Sequence, residues 1–268
     1  MKITIQAGAL VEALDHVDRS IDAKQARKFP VLGGVMIEAG NTETTLTGTN
    51  LDLRASAACA ADIDEPGCVA IDAMRLQKLA TGFSRDAKVV IATDGGPAAR
   101  VSSGRGRYQF ALLDVRDFPP LFAAGDDAQE IELSSAEVAH LFATTAFAAS
   151  EEKTRHYLNG SYLHSLADQM AVTCTDGFSL AKASLPIPRR FSGIIIPNRT
   201  IGELLRMAKG SVRLRFDSKV IEIKAEDRGF SVKTRRWELP RLRACHPENF
   251  QQHRRIEPRR IDRRTGAA

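Results

Sequence analysis

The sequence predicts an α+β protein built from two tandem copies of one domain, each with two helices and largely antiparallel sheets. Three observations lead to this fold class. Two similar strand–turn–strand units recur 126 residues apart, at residues 47–56 and 173–182. An amphipathic helix precedes each unit at about the same offset. The chain has 268 residues, which suffices for two domains that each bury a core.

The first copy begins with an alternating strand at residues 3–5. The helix that follows carries apolar residues at the spacing that places one stripe inward: Leu10, Val11, Leu14 and Val17. The unit at residues 47–56 ends its first strand in Thr-x-Thr-Asn, and asparagine suits the turn because its side chain bonds the following backbone. A strand and a short helix follow at residues 71–79, then a strand at 89–91.

The second copy repeats this order. A strand at residues 131–133 precedes a helix, and Ser134 with Glu137 has the capping-box spacing at its start. The inward stripe of this helix is Val138, Leu141, Phe142 and Thr145. The strand–helix segment 196–205 matches 71–79, and a strand at 212–216 follows. Four features in one order at one offset indicate a duplicated domain and not a short solenoid repeat.

The composition is that of a globular protein, with 43% hydrophobic and 26% charged residues. No apolar run approaches the roughly 20 residues of a membrane span. The N-terminus alternates like a strand and does not resemble a signal peptide, which predicts a cytoplasmic protein without membrane contact. The four cysteines lack metal spacing and are interpreted as reduced thiols: Cys59, Cys68, Cys174 and Cys245.

The net charge of +5 is unevenly distributed. Residues 233–268 contain 11 Lys or Arg and four acids, so that segment carries +7 and residues 1–232 carry −2. A basic tail of this kind ordinarily suggests nucleic-acid binding.

Several stretches resemble the bacterial DNA polymerase III beta subunit family, the beta sliding clamps. They are Phe29-Pro30-Val31-Leu32-Gly33-Gly34, residues 46–53, Glu65-Pro66-Gly67, residues 103–107, Asp117-Phe118-Pro119, Arg155-His156-Tyr157-Leu158-Asn159-Gly160 and Cys174-Thr175-Asp176-Gly177. The resemblance covers about residues 1–228. It implies the DNA clamp fold, with three such domains per chain and a head-to-tail homodimer that closes a six-domain ring, helices inside and sheets outside.

The resemblance implies sequence-independent binding of double-stranded DNA in the ring, because base-specific contacts would hold a ring that must slide. Basic residues at or near the helices are the candidates. They are Lys24, Arg27, Lys28, Arg75, Lys78, Lys153, Arg155, Arg199, Arg206 and Lys209. The alternative for each is an ordinary solvated surface charge.

The resemblance also implies a pocket for short peptide motifs of polymerase, clamp loader and repair proteins. By matching motifs it involves Leu158, Thr175, Gly177, Phe178 and Leu180, with part of residues 211–216. The sequence departs from the family at Phe178-Ser179, where a His-Arg pair is frequent. The alternative is that Leu158 and Leu180 face the core.

The residues do not favour an enzyme. The six histidines do not cluster with Cys, Ser or carboxylates at a triad or metal spacing, and the Asp-Gly pairs suit turns. Residues 103–107 lack the Gly-Lys-Ser/Thr ending of a phosphate loop. The resemblance implies a non-catalytic processivity subunit of a polymerase, and we expect neither cofactor nor metal.

After about residue 228 the resemblance stops. One choice of codons for residues 233–243, read one base later, gives Lys-Leu-Val-Asp-Gly-Asn-Phe-Pro-Asp-Tyr, which is similar to the family's continuation. We therefore expect a one-base frameshift near Gly229, with domains at 1–125 and 126–228 (incomplete) and an out-of-frame, disordered basic tail at 229–268. The second domain would then lack its final strand and leave an unpaired sheet edge. The third domain that the resemblance implies would be absent, so we expect this chain to be defective in ring closure.

Two other functions remain open. The chain could be a two-domain, clamp-like module that captures partner peptides without closing a ring. It could instead be an unrelated nucleic-acid-binding protein that works through its arginine-rich tail.

Overall fold

The computed structural model describes residues 1–120, 122–152, 154–155, 158–166, 168–187 and 190–234. They belong to one compact unit that spans Met1–Arg236. No helix in this described part of the chain is long and apolar enough to cross a membrane.

The first half, residues 1–125, is formed by nine strands and three α-helices in the described segments. Their order is β1 Lys2–Gln6, α1 Ala7–Asp18, α2 Ala23–Lys28, β2 Gly34–Ala39, β3 Thr44–Thr49, β4 Leu53–Cys59, β5 Ala61–Glu65, β6 Gly67–Asp72, α3 Ala73–Ala80, β7 Lys88–Ala92, β8 Ala98–Ser103 and β9 Gly106–Ala111.

The second half, residues 126–234, has β10 Gln129–Ser134, α4 Ser135–Val138, β11 Gly160–Leu166, β12 Gln169–Thr175, β13 Leu180–Leu185, β14 Ile194–Pro197, α5 Asn198–Met207, β15 Ser211–Phe216, β16 Val220–Ala225 and β17 Arg228–Lys233. A π-helical segment, Ala139–Ala143, continues α4. The two together are called the α4–π helix below.

The predicted helix faces are confirmed. Leu10, Leu14 and Val17 of α1 are buried, and Val11 is partly buried against the same core. The α4–π helix begins at the predicted capping box, in which the Ser134 backbone N–H donates to the Glu137 carboxylate at 2.7 Å. Its predicted inward stripe is fully buried. The α+β class with antiparallel sheets therefore follows from the apolar periodicity of the sequence.

The two halves share one topology. In the first half the strand orders are β1-β7-β8-β9, extended by β5 beyond β1, and β4-β3-β2-β6. In the second half they are β10-β15-β16-β17 and β13-β12-β11-β14. Each strand of one half thus has an equivalent at the same place in the other, except for β5. The predicted duplication is present in the fold.

The turns at the 126-residue offset have the same internal geometry. Thr49 Oγ1 donates to the Leu53 carbonyl at 3.0 Å, and Thr175 Oγ1 donates to the Ser179 carbonyl at 2.7 Å. The side chains of Asn50 and Asp176 each accept two backbone N–H groups of the turn. The third turn residue is left-handed in both halves, with φ of 78° at Leu51 and 95° at Gly177.

The expected loss of the last strand is wrong. Residues 228–233 form β17, which pairs with β16 on one side and with β4 of the first half on the other. The predicted boundary at residue 228 therefore falls at the start of a paired strand. The pairing joins strands of both halves into one eight-stranded sheet, in the order β10-β15-β16-β17-β4-β3-β2-β6. The proposed tail from residue 235 onward lies outside the described residues.

Strand β4 shows that both cores lie on the same face of this sheet. Its residues Leu53 and Ala55 belong to the apolar core of the second half, whereas Ala57 and Cys59 belong to that of the first. Because residues two apart on a strand point to the same face, all four point the same way. The helices that cover these cores therefore lie on one side of the continuous sheet.

Candidate nucleic-acid and peptide interface

The helices of the two halves form one contiguous layer. Helix α3 packs against α1, and α5 packs against the π-helical part of the α4–π helix. The contact between α1 and α5 crosses from one half to the other. There the Arg19 guanidinium lies 3.3 Å from the Glu203 carboxylate, and Arg199 donates to the Arg19 carbonyl oxygen.

Helix α3 carries two of the predicted basic residues toward solvent. Its buried side chains are Ala73, Leu76 and Ala80, so the opposite face presents Arg75 and Lys78. The Asp72 carboxylate caps the helix by accepting the Arg75 backbone N–H at 2.8 Å. Neither basic side chain forms an ion pair within the described residues. Both remain available to an external phosphate.

The basic residues of α5 are engaged within the protein. Arg206 donates to the buried Glu203 carboxylate, which also pairs with Arg19. Arg199 bonds the end of α1. The Glu203 carboxylate offsets the charges of Arg206, in its own helix, and of Arg19, in the other half. Arg19 and Arg199 therefore join the two halves, whereas Arg206 is paired within α5. Lys209 follows the helix and is exposed.

The charge of the helical layer is more mixed than the basic residues alone suggest. Helix α1 exposes Glu12, Asp15 and Asp18. Helices α1, α3 and α5, with the cap residue Arg19, together carry five basic and four acidic side chains. The positive potential is therefore confined to patches, of which the exposed face of α3 is one.

The other predicted cations lie around this layer. Lys24, Arg27 and Lys28 belong to the short helix α2, which packs on the turn Pro30–Gly33 and exposes all three. Lys153 lies outside the described residues. Arg155 pairs with Glu152 at 3.4 Å.

Arg155 connects the cation set to the predicted peptide site. A Cβ added at Gly177 would lie 3.4 Å from the Arg155 Nη1 atom, so this guanidinium borders the turn between β12 and β13. The same turn lowers the pKa of Asp176, because the backbone N–H groups of Ser179 and Phe178 donate to its carboxylate. The cation and the ionised Asp176 thus lie at one end of the second half.

The five predicted pocket residues separate into two environments. Four of them lie together from the last residue of β12 through the turn to the first residue of β13: Thr175, Gly177, Phe178 and Leu180. Phe178 is 92% exposed and Leu180 is 49% exposed, so both offer apolar surface to a partner. Leu158 is buried, and its N–H donates to the Arg155 carbonyl at 2.9 Å. Leu180 is thus not enclosed in the core, and the role of Leu158 in the pocket stays a prediction.

Residues 211–216 are not a pocket loop. They form strand β15, and Val212, Leu214 and Phe216 belong to the core of the second half. Ser211, Arg213 and Arg215 point to the other face, where Arg215 pairs with Glu222 at 3.3 Å. Alternating apolar residues dictate this burial.

Two features of the site were missed from the sequence. Phe147 is 79% exposed on the turn Ala146–Ala148, which packs against β12 and β13 beside the predicted pocket. A single phenylalanine among small residues gives no periodic signal. Glu203 stands at an inward position of α5, and this breach of the apolar pattern is the signal that could have revealed its role.

His16 also belongs to the contact between the halves. Its ring lies 4.4 Å from that of Phe230, and its Nε2 is 3.1 Å from the Gly229 carbonyl oxygen of β17. Burial is the main cause that lowers the pKa of His16, with Arg228 and Arg19 acting in the same direction and the Gly229 and Glu203 contacts opposing. The neutral ring is thus the favoured packing partner of β17.

A groove of about 430 Å³ lies in the first half. Thr4, Gln6, Asp62 and Lys88 contribute to its lining. It includes none of the predicted cations or pocket residues.

Comparison with protein families identifies both halves. Residues 1–122 match the DNA polymerase III beta subunit, N-terminal domain, and residues 132–235 match the DNA polymerase III beta subunit, central domain. The second match includes all of β17 and extends past residue 228.

Individual relatives agree with these matches. The chain is 30% identical over 219 residues to the beta sliding clamp of Caulobacter vibrioides. The aligned residues cover 79% of this chain and 58% of the relative. It is 28% identical over 262 residues to that of Escherichia coli K12, covering 94% of this chain and 70% of the relative. The chain therefore spans about three-fifths of the length of the Caulobacter protein.

Solved structures resemble it equally well. A DNA polymerase sliding clamp from Caulobacter crescentus superimposes with a TM-score of 0.84 at 27% identity, covering 93% of this chain and 69% of that one. A sliding clamp from Bartonella birtlesii bound to griselimycin gives a TM-score of 0.84 at 27% identity, covering 91% and 67%.

Proposed function

We propose that this chain, which belongs to the DNA polymerase III beta subunit family, contributes two domains to a ring that encircles duplex DNA and holds a polymerase on its template. The observation that carries the proposal is the single layer of helices from both halves on one side of a continuous sheet. The proposed domains are residues 1–125 and 126–234. We place the protein in the cytoplasm, with the chromosome.

The proposed action is mechanical. A ring holds DNA by topology, so it needs neither a catalytic residue nor a cofactor. Its inner wall should attract phosphates without reading bases. Arg75 and Lys78 fit this task because both are exposed and form no ion pair within the described residues. Arg199 contributes mainly by joining α5 to the end of α1, and the charge of Arg206 is offset by Glu203 in its own helix.

The assembly is proposed to be a closed ring of chains joined head to tail. The E. coli relative is longer, with 70% of its length matched by this chain. Partner proteins such as polymerase, clamp loader and repair proteins are proposed to dock by short peptide motifs at Phe178, Leu180 and the adjoining turn. Here Phe178 replaces a histidine that is frequent in the family, which makes the turn more apolar.

Charge reversal on α3 tests the DNA proposal. Arg75→Glu with Lys78→Glu should weaken binding of the full chain to a linear duplex about tenfold or more at low salt, and equally for two unrelated base sequences. The matched control is Arg213→Glu with Lys224→Glu. These two residues are cross-strand partners on the opposite face of the sheet. Equal losses in both double variants would contradict a helix-lined DNA surface.

The tail alternative is tested in the same assay. Replacing Arg254, Arg255, Arg259 and Arg260 with serine removes four of the basic residues of the tail while leaving residues 1–234 unchanged. The ring proposal predicts that the α3 double variant still weakens binding in this background. If the serine variant has lost binding and the α3 change then has no effect, the tail is the binding element.

A second candidate function, capture of partner peptides without a ring, is favoured by the exposed side chains of Phe178 and Leu180. Griselimycin, which the Bartonella relative binds, is a suitable probe. Binding measured by calorimetry should fall at least tenfold in Phe178→Ser with Leu180→Ser. Met74→Ser is the control, because Met74 is also apolar and exposed but lies on α3, outside the predicted pocket. Griselimycin binding without any duplex binding would favour the module over the ring.

A further inference from the structure

The chain is fixed to both halves where it passes from one to the other. Residues 112–128 join β9 to β10, and their described part, 112–120 and 122–128, is called the connector below. On the first half, the Leu113 N–H donates to the carbonyl oxygen of Ala70 in β6 at 2.9 Å. The Leu113 side chain lies on Gly34 of β2, because a Cβ added there would be 2.5 Å from its Cδ1 atom. The connector thus begins at the first-half edge of the eight-stranded sheet.

The second part of the connector is fixed to the second half by two carboxylates. The Ala124 N–H donates to the Glu222 carboxylate of β16 at 3.0 Å, and the Gly125 N–H donates to the Asp217 carboxylate at 2.8 Å. Hydrogen bonds to ionised acceptors are among the stronger ones in proteins. Glu222 points away from the core of the second half, since both of its neighbours in β16 belong to that core. The connector is therefore held on the outer face of the sheet, which is the face opposite both cores.

Between these two ends the connector crosses the joint, which is the strand pair β4–β17. The sheet order places β4 and β17 between β2 and β16, so a segment fixed to both of those strands spans the pair. Lys233, the last residue of β17, contacts the connector from the sheet, with its Nζ 5.1 Å from the centre of the Phe122 ring. Pro119 and Pro120 stiffen the crossing, because proline fixes φ.

Apolar residues that belong to neither core are buried at this outer face. They are Met36 and Ala70 on the sheet and Phe118 and Ala124 on the connector, each at most 8% exposed. Met36 and Ala70 point away from the first-half core because their strand neighbours point into it. The joint itself offers little apolar surface on this face, where Gly229 pairs with Ser56. The connector therefore supplies packing that the strand pair lacks.

We propose that the connector is a strap that fastens the joint from the outer face, with Glu222 and Asp217 as the fastening groups. The joint is then held from both faces of the sheet. The ion pair of Arg19 with Glu203 links the halves on the helical side, and the strap links them on the other. While the strap is fastened, β4 and β17 cannot separate without releasing it. The proposal concerns the joint alone and does not require DNA, a partner peptide or a ring.

Releasing the strap tests this role by amide hydrogen exchange of the full chain. The variant is Asp217→Asn with Glu222→Gln, which weakens both fastening hydrogen bonds. Asp217 also accepts the N–H groups of Lys219 and Val220 through its other oxygen, so asparagine keeps that turn and directs its NH2 group toward Gly125. Exchange of the strap amides, Ala124 and Gly125, should become about tenfold faster.

The joint amides give the decisive measurement. The N–H groups of Lys233 and Ala58, which donate across the joint to Asp52 and Asp227, should exchange about threefold faster in the double variant. Amides of β12, which belongs to another sheet, should not change, and this separates local opening from a general loss of stability. Glu38→Gln, exposed on the outer face of β2, is the matched control and should leave all these rates unchanged.

Cutting the strap provides a second, independent measurement. Chymotrypsin cleaves after aromatic residues in segments that open, so cleavage after Phe122 should be about tenfold faster in the double variant. Cleavage after Phe178, which is already 92% exposed, is the internal reference and should not change. In the cut chain, Lys233 should exchange as fast as in the double variant. Slow exchange of the strap amides in the double variant, or a released strap that leaves the joint amides unchanged, would overturn the proposal.

Discussion

The last strands of the two halves occupy the same place in the fold but have different surroundings. Strand β17 is covered by β4, and its Phe230 is 2% exposed. Strand β9 is an outer strand, and its equivalent residue Tyr108 is 44% exposed. One architectural position thus yields a core residue in one half and a surface residue in the other. The neighbouring strand, and not the local sequence pattern, decides which.

The largest expected effect comes from truncating these two aromatic residues. Phe230→Ala should lower the free energy of unfolding by about 3–4 kcal/mol, because it leaves a cavity beneath the joint beside His16. Tyr108→Ala should cost about 1 kcal/mol or less, since its ring is largely solvated. Urea unfolding of both variants checks this difference. Equal losses would mean that β9 is covered as well as β17.

The third residue of the repeated turn gives a smaller effect. Leu51 and Gly177 are both left-handed, a conformation that costs a non-glycine residue about 1–2 kcal/mol. Gly177→Ala should therefore destabilise the protein by about 1 kcal/mol.

Leu51 gives the reverse comparison. Leu51→Gly should be more stable than Leu51→Ala by about 1 kcal/mol, because glycine adopts the left-handed conformation without strain. Both variants lose the leucine side chain beyond its β-carbon. Thermal unfolding of the three variants measures these differences. If Leu51→Ala is the more stable of its pair, the two turns do not share a backbone conformation.

The smallest effect is a dependence of stability on pH. Burial is the first cause that lowers the pKa of both His16, at the joint, and His164, inside the second half. Below the ordinary value near 6.5 the unfolded chain therefore takes up protons that the folded chain resists. Stability contributed by the neutral rings is complete above that pH and is lost as the pH falls toward the lowered values.

Glutamine variants separate the two histidines. The decrease in stability between pH 7 and pH 5 should become shallower in both His16→Gln and His164→Gln. Asp114, with a pKa of about 2, and Asp176 and Asp217, whose pKa values are also lowered, lose their contributions at more acidic pH. An unchanged slope in both histidine variants would contradict the burial of neutral rings.

Much of the fold follows from the sequence because periodicity is a local signal. The apolar stripe and the capping box predicted the α4–π helix correctly. The Thr-x-Thr-Asx patterns predicted the two equivalent turns correctly. The predicted loss of the last strand failed because the quoted motifs end near residue 228, whereas the match to the family's central domain continues to residue 235. The chain there still reads Phe230-Ser231-Val232, an alternation that suffices to pair with β4.

The candidate site was predictable only in part. Basic residues on α3 could be found because charge and helical face are both visible in the sequence. The contacts of Arg19 with Glu203 and of Arg199 with the Arg19 carbonyl could not be predicted, since they join residues about 180 positions apart in the sequence. The Arg206–Glu203 pair is an i,i+3 pair within α5 and was accessible to sequence reasoning. The exposure of Phe178 and the burial of Leu158 likewise depend on which elements pack nearby.

Amide hydrogen exchange along the two equivalent strands tests the continuous sheet most directly. In dilute, monomeric protein, the Lys233 N–H should exchange as slowly as the core amides, because it donates to Asp52 across the joint. The Ala111 N–H, at the same place on β9, should exchange much faster. Fast exchange at both amides would mean that β17 does not join the halves, and the shared helical side would no longer follow.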